Sequence, residues 1–274
     1  MVGIYSLADK RVAHTLQTNG PVTDALWAGD KAVVASATGS VKVFENGNEV
    51  ATFNSHAGEA TALALHATGD IVASVGVDKS YVLYDLTTNS VLTQVFSDAC
   101  REIQQVPAQL LNRSLTFDSS TALLSVNFHP DGHLIAAGGV DGQIKIFNTT
   151  SGTPAADYSS SGPVKSLFFS ENGVFLAAVA DNSTVVSIWD LRHSKETKVL
   201  DTGNKVDSIY WDYTGQFLLT GGPSGVTVQQ FTKSTKEWSE PLRSAVPAAS
   251  VQWGPAAQSI VVLNAEGGVT VLGA

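Results

Sequence analysis

The chain has 274 residues, a length at which a repeat-built all-β fold still forms a single unit. Its 16 basic and 25 acidic residues give a formal net charge of −9, which argues against duplex DNA or an anionic membrane as the main partner. The single cysteine, Cys100, excludes an internal disulfide and a cysteine-cluster zinc site. The chain shows no long apolar run and no basic-then-apolar leader, so we expect a cytosolic or nuclear protein without a transmembrane span or signal peptide.

The first predicted elements are two strands, VGIYSL over 2–7 and RVAHTLQ over 11–17. They match the third and fourth strands of the repeat that fills the rest of the chain. We therefore predict that they are the second half of a leading repeat unit.

From residue 22 onwards the sequence repeats with a period of about 42 residues, and one unit is longer by about 21. Two series of large apolar residues mark the repeat. The first series, at the ends of short apolar segments, is Trp27, Leu65, Phe128, Phe169, Trp211 and Trp253. The second series, later in each unit, is Phe44, Tyr84, Phe147, Trp189, Phe231 and Leu272. We expect both series to pack between neighbouring units, where large apolar area stabilises most.

Each unit has the same internal order of strands and turns. In one unit, LLSVNF (123–128) precedes the turn HPDG (129–132), the small-residue strand LIAAG (134–138) and the alternating strand QIKIF (143–147). A more polar fourth strand closes the unit. Four strands per unit of about 42 residues predict an all-β fold, a β-propeller.

The strand count leaves two ways of closing such a propeller. Six first strands are present, and the chain ends after the third strand of the last unit. We expect seven blades with the first blade incomplete in this chain; the alternative is six blades, with 11–17 completing the last. In either case residues 1–274 are predicted to form one propeller domain.

The extra residues of the long unit form an inserted loop over 97–121, which includes a short helix-like stretch. Insertions in repeat folds fall in loops on one face, where they contact partners or remain solvated excursions. Both interpretations stay open at this point.

Signatures of WD repeats are present but incomplete. One unit keeps His56, Ser74 and Asp78, two others keep only the aspartate (Asp141 and Asp181), and the one full Trp-Asp pair is Trp189-Asp190. The segments LHATGD (65–70), FHPDG (128–132), DGQIKIF (141–147), GPVKSLFFSENGVFLAA (162–178) and SIWDLR (187–192) are more specific. In this order they resemble the WD-repeat domain of the pre-mRNA-processing factor 19 family, splicing-associated U-box ubiquitin ligases.

The resemblance implies a protein-interaction scaffold, the substrate- and partner-binding propeller of a nuclear ligase that acts in pre-mRNA splicing. Its partners would be proteins of a spliceosome-associated complex and ubiquitination substrates, without direct contact to nucleic acid or membrane. In that family the catalytic U-box and a tetramerising coiled coil lie N-terminal to the propeller, and no such segment precedes Val22. We therefore expect no enzyme activity of this chain, a monomeric propeller and a homotetrameric parent.

Other functions have less support in the residues. The pair His129 and His133 lies in a turn without a third ligand, and no nucleophile, phosphate-loop or calcium motif occurs, so we predict no metal, no cofactor and no catalytic residues. The main alternative is a WD-repeat scaffold of another nuclear or cytosolic complex. A propeller enzyme that uses loops around a central channel is the third possibility.

A binding face follows from the repeat itself. In each unit, the residue four positions before the first anchor should begin the first strand at one rim, beside the turn that precedes the third strand. The predicted partner-binding residues are Thr23, Thr61, Asp78, Leu124, Asp141, Lys165, Asn182, Asp207 and Glu266, and the equivalent positions Ala249 and Ser224 lie among them. This rim is acidic around one lysine and suits a partner segment carrying Lys or Arg. The alternative is a solvated rim on which the aspartates cap their own turns.

Overall fold

A computed structural model describes residues 1–6, 8–95 and 121–273. The predicted inserted loop 97–121 lies outside the described residues, apart from Thr121. In the described residues the secondary structure consists of β-strands and one 3-10 turn, Pro255–Ala257. No helix in this part of the chain is long and apolar enough to cross a membrane.

The chain begins with a sheet of two antiparallel strands, β1 (Val2–Ser6) and β2 (Arg11–Leu16). This pairing confirms the prediction that 2–7 and 11–17 belong to one leading unit. The two strands form a sheet of their own.

Six further sheets follow, and in each the strands are hydrogen-bonded in chain order. We call these sheets blades 1 to 6. Blade 1 contains β3 (Val22–Ala28), β4 (Lys31–Ser36), β5 (Ser40–Glu45) and β6 (Asn48–Asn54). Blade 2 contains β7 (Ala60–Leu65), β8 (Ile71–Gly76), β9 (Tyr81–Asp85) and β10 (Ser90–Val95). Blade 3 contains β11 (Leu123–Phe128), β12 (Leu134–Gly139), β13 (Gln143–Asn148) and β14 (Pro154–Ser159).

The second half of the chain continues the same pattern. Blade 4 contains β15 (Val164–Phe169), β16 (Phe175–Ala180), β17 (Val185–Asp190) and β18 (Lys195–Asp201). Blade 5 contains β19 (Ser208–Trp211), β20 (Phe217–Gly222), β21 (Gly225–Thr232) and β22 (Glu237–Ser244). Blade 6 has three strands, β23 (Ser250–Trp253), β24 (Ile260–Leu263) and β25 (Val269–Leu272). The fold is thus an all-β WD-repeat β-propeller with six blades, which is the alternative count and not the seven blades expected, and the leading pair forms a two-stranded sheet of its own.

The described residues group into two compact units. Unit 1 comprises Met1–Phe128, Gly132–Val140 and Ile146–Ala155, and unit 2 comprises His129–Asp131, Asp141–Lys145 and Ala156–Ala274. Each unit has apolar cores of its own between successive sheets. Second strands such as β8 and β16 lie almost wholly inside these cores, as their small residues predict.

Most repeat anchors lie in these cores, as predicted. In unit 2 the rings of Phe175 and Trp211 are stacked, with their centroids 6.1 Å apart. The prediction was wrong for Trp27, which is 53% exposed. The residues next to Trp27 on β3 pack in the core shared with blade 2, so the Trp27 ring points to the other face of the sheet. On that face the leading pair packs against Ala32, Val34 and Phe44 and leaves Trp27 uncovered.

Candidate functional site

One end of each blade brings together the start of the first strand and the turn between the second and third strands. Backbone hydrogen bonds join the two, from Val77 N to Glu59 O in blade 2 (3.0 Å) and from Asp207 N to Gly221 O in blade 5 (2.8 Å). We call this end of the blades the strand-start rim. Each residue predicted to bind a partner lies at this end of its own blade, because antiparallel hairpins of fixed order place both segments at the same end.

Four of the predicted residues occupy a β-bulge near the start of the first strand. The pairing register with the second strand skips Thr23, Thr61, Leu124 and Lys165 in blades 1 to 4 respectively. A bulge adds an unpaired residue and turns its side chain away from the regular strand alternation. The repeat therefore places one redirected side chain at each of these starts.

The two threonines use this position to join neighbouring first strands in unit 1. The hydroxyl of Thr23 donates to the carbonyl oxygen of Ala60, and the hydroxyl of Thr61 donates to that of Leu123 over 2.7 Å. Leu124 is half-buried and has no polar group. These residues lie where the sequence predicted, but the threonine hydroxyls are engaged within the protein.

Asp78 also lies on the predicted turn, yet its carboxylate faces inward. Its side chain is 7% exposed and accepts hydrogen bonds from His56 Nδ1 (3.1 Å), Ser80 Oγ (2.7 Å) and the Ala57 amide (2.9 Å). The other imidazole nitrogen, Nε2, is 2.6 Å from Ser74 Oγ. Burial alone would raise the pKa of Asp78, but the hydrogen bonds and the charge of His56 lower it to about 2. We therefore regard Asp78 as a structural residue and leave it out of the contact set.

The hydroxyl of Tyr84 extends this network, since it lies 3.0 Å from Ser74 Oγ. Tyr84 thus occupies the place of the tryptophan in the WD-repeat signature, at the end of the third strand. Sequence reasoning assigned Tyr84 to the core as an apolar anchor and missed its polar role. The signal available was its position relative to His56 and Ser74 in the same unit.

In unit 2 the predicted residues form a continuous row along the rim. The turn of Asp141 is joined to the segment before Lys165 by a bond from Ser160 N to Gly142 O (2.8 Å). The turn of Asn182 is joined to the segment before Asp207 by a bond from Val206 N to Ser183 O (2.9 Å). These bonds place the Asp141 turn beside the start of blade 4 and the Asn182 turn beside the start of blade 5. That all three residues flank the Lys165 side chain stays a prediction.

The charges along this row differ in how far they are neutralised. Lys165 is exposed and has no ion pair or hydrogen bond within the described part of the chain. Asp207, by contrast, pairs with Lys205 over 3.2 Å, a partner that sequence reasoning missed because Lys205 lies in a loop without strand register.

The remaining polar residues of the row mostly serve their own turns. Asp141 is exposed and accepts a hydrogen bond from Gln143 N (3.0 Å), as turn capping predicts. Asn182 is exposed, has φ of 56° and donates from its side chain to Asp181 (2.9 Å). Glu266 is exposed in the turn between β24 and β25. The row thus presents acidic and amide groups around the unpaired ammonium of Lys165, an arrangement that suits the binding of a charged partner segment.

The histidine pair considered for a metal makes other contacts. His129 Nδ1 lies 2.8 Å from a carboxylate oxygen of Asp131, and its Nε2 donates to Gly173 O over 3.0 Å. No group of three or more His, Cys, Asp or Glu side chains in the described ranges is placed to hold a metal ion.

Comparison with known proteins agrees with the propeller fold. The family model described as WD domain, G-beta repeat matches residues 47–85 and 111–148. Pre-mRNA-processing factor 19 of Bos taurus is 31% identical over 248 residues, which cover 88% of this chain and 44% of that protein. Pre-mRNA-processing factor 19 homolog 2 of Arabidopsis thaliana is 29% identical over 265 residues, or 92% of this chain and 46% of that protein. The chain is a WD40 propeller homologous to the WD-repeat domain of pre-mRNA-processing factor 19.

A solved structure supports the fold of this WD40 propeller. A chain in the crystal structure of a mitotic checkpoint complex aligns with a TM-score of 0.80 over 98% of this chain and 80% of that one. At 13% sequence identity this likeness concerns the fold alone. The propeller spans less than half the length of the relatives named above.

Proposed function

We propose that this propeller is the partner-binding domain of a spliceosome-associated ubiquitin ligase that acts in pre-mRNA splicing in the nucleus. The observation that carries the proposal is the 31% identity to pre-mRNA-processing factor 19 of Bos taurus over 88% of the chain. Its partners are proteins of a spliceosome-associated complex, together with substrates for ubiquitination. The propeller serves as a scaffold, and ligase activity belongs to other parts of the parent protein.

We further propose that the strand-start rim of unit 2 contacts the partner. Lys165 is its central residue, because its exposed ammonium has no ion pair in the described residues and sits between the turns of Asp141 and Asn182. A partner segment with an acceptor for Lys165 and a cation for Asp141 would match these charges. Such matching contributes mainly to specificity and to the rate of association.

The test uses the whole chain as bait in a nuclear extract from its own organism, with spliceosomal small nuclear RNAs as the readout. We expect the wild-type chain to recover these RNAs through bound proteins, and Lys165→Glu to weaken recovery by about tenfold, the effect of a single interface residue. Lys198→Glu is the matched control, because Lys198 is an exposed lysine of the same blade on β18, away from the rim.

The outcomes separate the two parts of the proposal. Recovery of another protein assembly without the small nuclear RNAs would contradict the splicing function. Recovery that is equal for Lys165→Glu, Lys198→Glu and the wild type would keep the splicing function and move the contact to a different surface. Equal melting temperatures of the three proteins would establish that a loss of RNA recovery does not come from unfolding.

A further inference from the structure

A groove of about 510 Å³ opens in unit 2 at the end of the strands opposite the strand-start rim. It lies between β19 of blade 5 and β23 of blade 6, and turns between first and second strands line it. Glu171 comes from the turn after β15, Tyr213 from the turn after β19, and the 3-10 turn Pro255–Ala257 follows β23. The groove is therefore separate from the rim described above.

Aromatic rings form its walls, and two of them are held in place. The ring of Tyr210 packs against Phe168, with centroids 4.2 Å apart. The indole Nε1 of Trp253 donates to the carbonyl oxygen of Tyr210 over 3.3 Å, which links the two blades and fixes the indole. Of the other two aromatic residues in the lining, Trp211 is 1% exposed and Tyr213 is 66% exposed. Fixed rings beside an exposed one form a surface on which a planar group stacks without reordering the protein.

The groove carries one charge, and it is negative. Glu171 is the one ionisable carboxylate of the lining, and no lysine or arginine lines the groove. Its carboxylate has no ion pair or hydrogen bond within the described residues. Burial raises the pKa of Tyr210, the hydrogen bond with Gln252 lowers it, and the negative charge of Glu171 raises it further.

We propose that this groove binds an arginine side chain of a partner polypeptide. A cation is attracted by the faces of tyrosine and tryptophan rings, and arginine is the cation that most often lies on them. The guanidinium is planar, stacks on such rings and pairs with a carboxylate through two parallel N–H groups. Tyr213 and Trp253 provide the rings and Glu171 provides the carboxylate.

This inference does not rest on the proposed function. The groove and the strand-start rim lie at opposite ends of the strands, so a variant in one leaves the residues of the other in place. Splicing partners and any other protein with an accessible arginine are equally suitable ligands in chemical terms.

The experiment measures binding of fluorescein-labelled pentapeptides, Gly-Ser-X-Ser-Gly, to the whole chain by fluorescence polarisation. The central residue X is arginine, citrulline, lysine or trimethyllysine. Citrulline keeps the shape of arginine without its charge, so we expect it to bind about tenfold more weakly than arginine. We expect lysine to bind more weakly than arginine, because it lacks the planar fork.

Protein variants locate the site. Glu171→Gln and Tyr213→Ala should each weaken the arginine peptide by about tenfold while the melting temperature stays at the wild-type value, since both side chains are exposed. Glu196→Gln is the matched control, an exposed glutamate on β18, and should bind as the wild type does. The proposal is overturned by equal binding of arginine and citrulline, by tighter binding of lysine or trimethyllysine, by unchanged binding in Glu171→Gln, or by no binding of any peptide at millimolar concentration.

Discussion

The imidazole of His129 donates a hydrogen bond from Nε2 to the carbonyl oxygen of Gly173 over 3.0 Å and so joins two successive turns between first and second strands. Gly173 has φ of 67°, in the left-handed region that favours glycine. A methyl group on its Cα would lie 2.5 Å from His129 Nε2. The glycine is therefore required both by its backbone conformation and by the ring against it.

Replacing Gly173 should lower the free energy of unfolding more than replacing the corresponding glycine of blade 2. Gly69 has φ of 83° and open space where a methyl group would go, so Gly69→Ala should lower the free energy of unfolding by about 1 kcal/mol from backbone strain alone. Gly173→Ala should cost about 1 kcal/mol more, because the His129 ring must move and lose its hydrogen bond. Urea unfolding of both variants measures the difference. Equal losses in the free energy of unfolding would mean that the His129 ring moves aside without an energetic cost.

The carboxylate of Asp78 should matter for stability, whereas that of Asp141 should not. Asp78→Ala removes the carboxylate that accepts from His56, Ser80 and the Ala57 amide, so it should lower the free energy of unfolding by about 2 kcal/mol. Asp141→Ala should cost less than about 0.5 kcal/mol, because this exposed residue caps only its own turn. The double variant with His56→Ala and Asp78→Ala should lose less free energy of unfolding than the sum of the losses of the two single variants. Strict additivity would mean that the two side chains do not act together.

The interaction between Asp78 and His56 also makes the stability of the protein decrease at acid pH. The pKa of Asp78 is lowered to about 2 in the folded protein, so its contribution is present above the ordinary pKa of about 3.8 and is lost as the pH falls towards 2. The stability difference between the wild type and Asp78→Asn should therefore shrink across this interval. Thermal unfolding at a series of pH values tests it, and a difference that stays constant between pH 4 and pH 2 would contradict it.

Asp24 should have the opposite pH dependence. Burial raises its pKa from about 3.8 to about 6, although the amides of Leu63 and Ala25 donate to its carboxylate and lower it in part. Because the folded protein holds this proton more tightly, stability should decrease as the pH rises from about 4 to about 6. Relative to Asp24→Asn, we expect the wild type to lose on the order of 1 to 2 kcal/mol of stability across this interval. If the wild type became more stable relative to Asp24→Asn as the pH rises over this range, the raised pKa of Asp24 would be contradicted.

Two tryptophans at equivalent repeat positions should respond very differently to truncation. Trp211 is 1% exposed, and Trp211→Ala should cost about 3–5 kcal/mol from lost burial and the cavity left behind. Trp27 is 53% exposed, and Trp27→Ala should cost less than about 1 kcal/mol. Chemical unfolding of the two variants compares them directly. Similar losses would show that the Trp27 ring is covered in solution.

Much of the fold was predictable from the sequence because its determinants are local. Strand alternation and glycine turns recur in every unit, and they correctly placed β15 to β18 in order. The strand-start rim was predictable for a related reason. Antiparallel hairpins joined in a fixed order must place first-strand starts and second turns at the same end, so Lys165 and Asn182 lie on it.

The tertiary structure decided what those positions do. Burial depends on what lies across the sheet, so Trp27 is exposed while Trp211, at the same repeat position, is enclosed. Asp78 turns inward because His56 of the preceding loop lies beside it. The aromatic groove combines Tyr210 with Trp253 from the next blade, and no spacing in the sequence indicates that their side chains meet. Local patterns fix strands and turns, whereas exposure, charge pairing and pockets depend on contacts between segments that are distant in the chain.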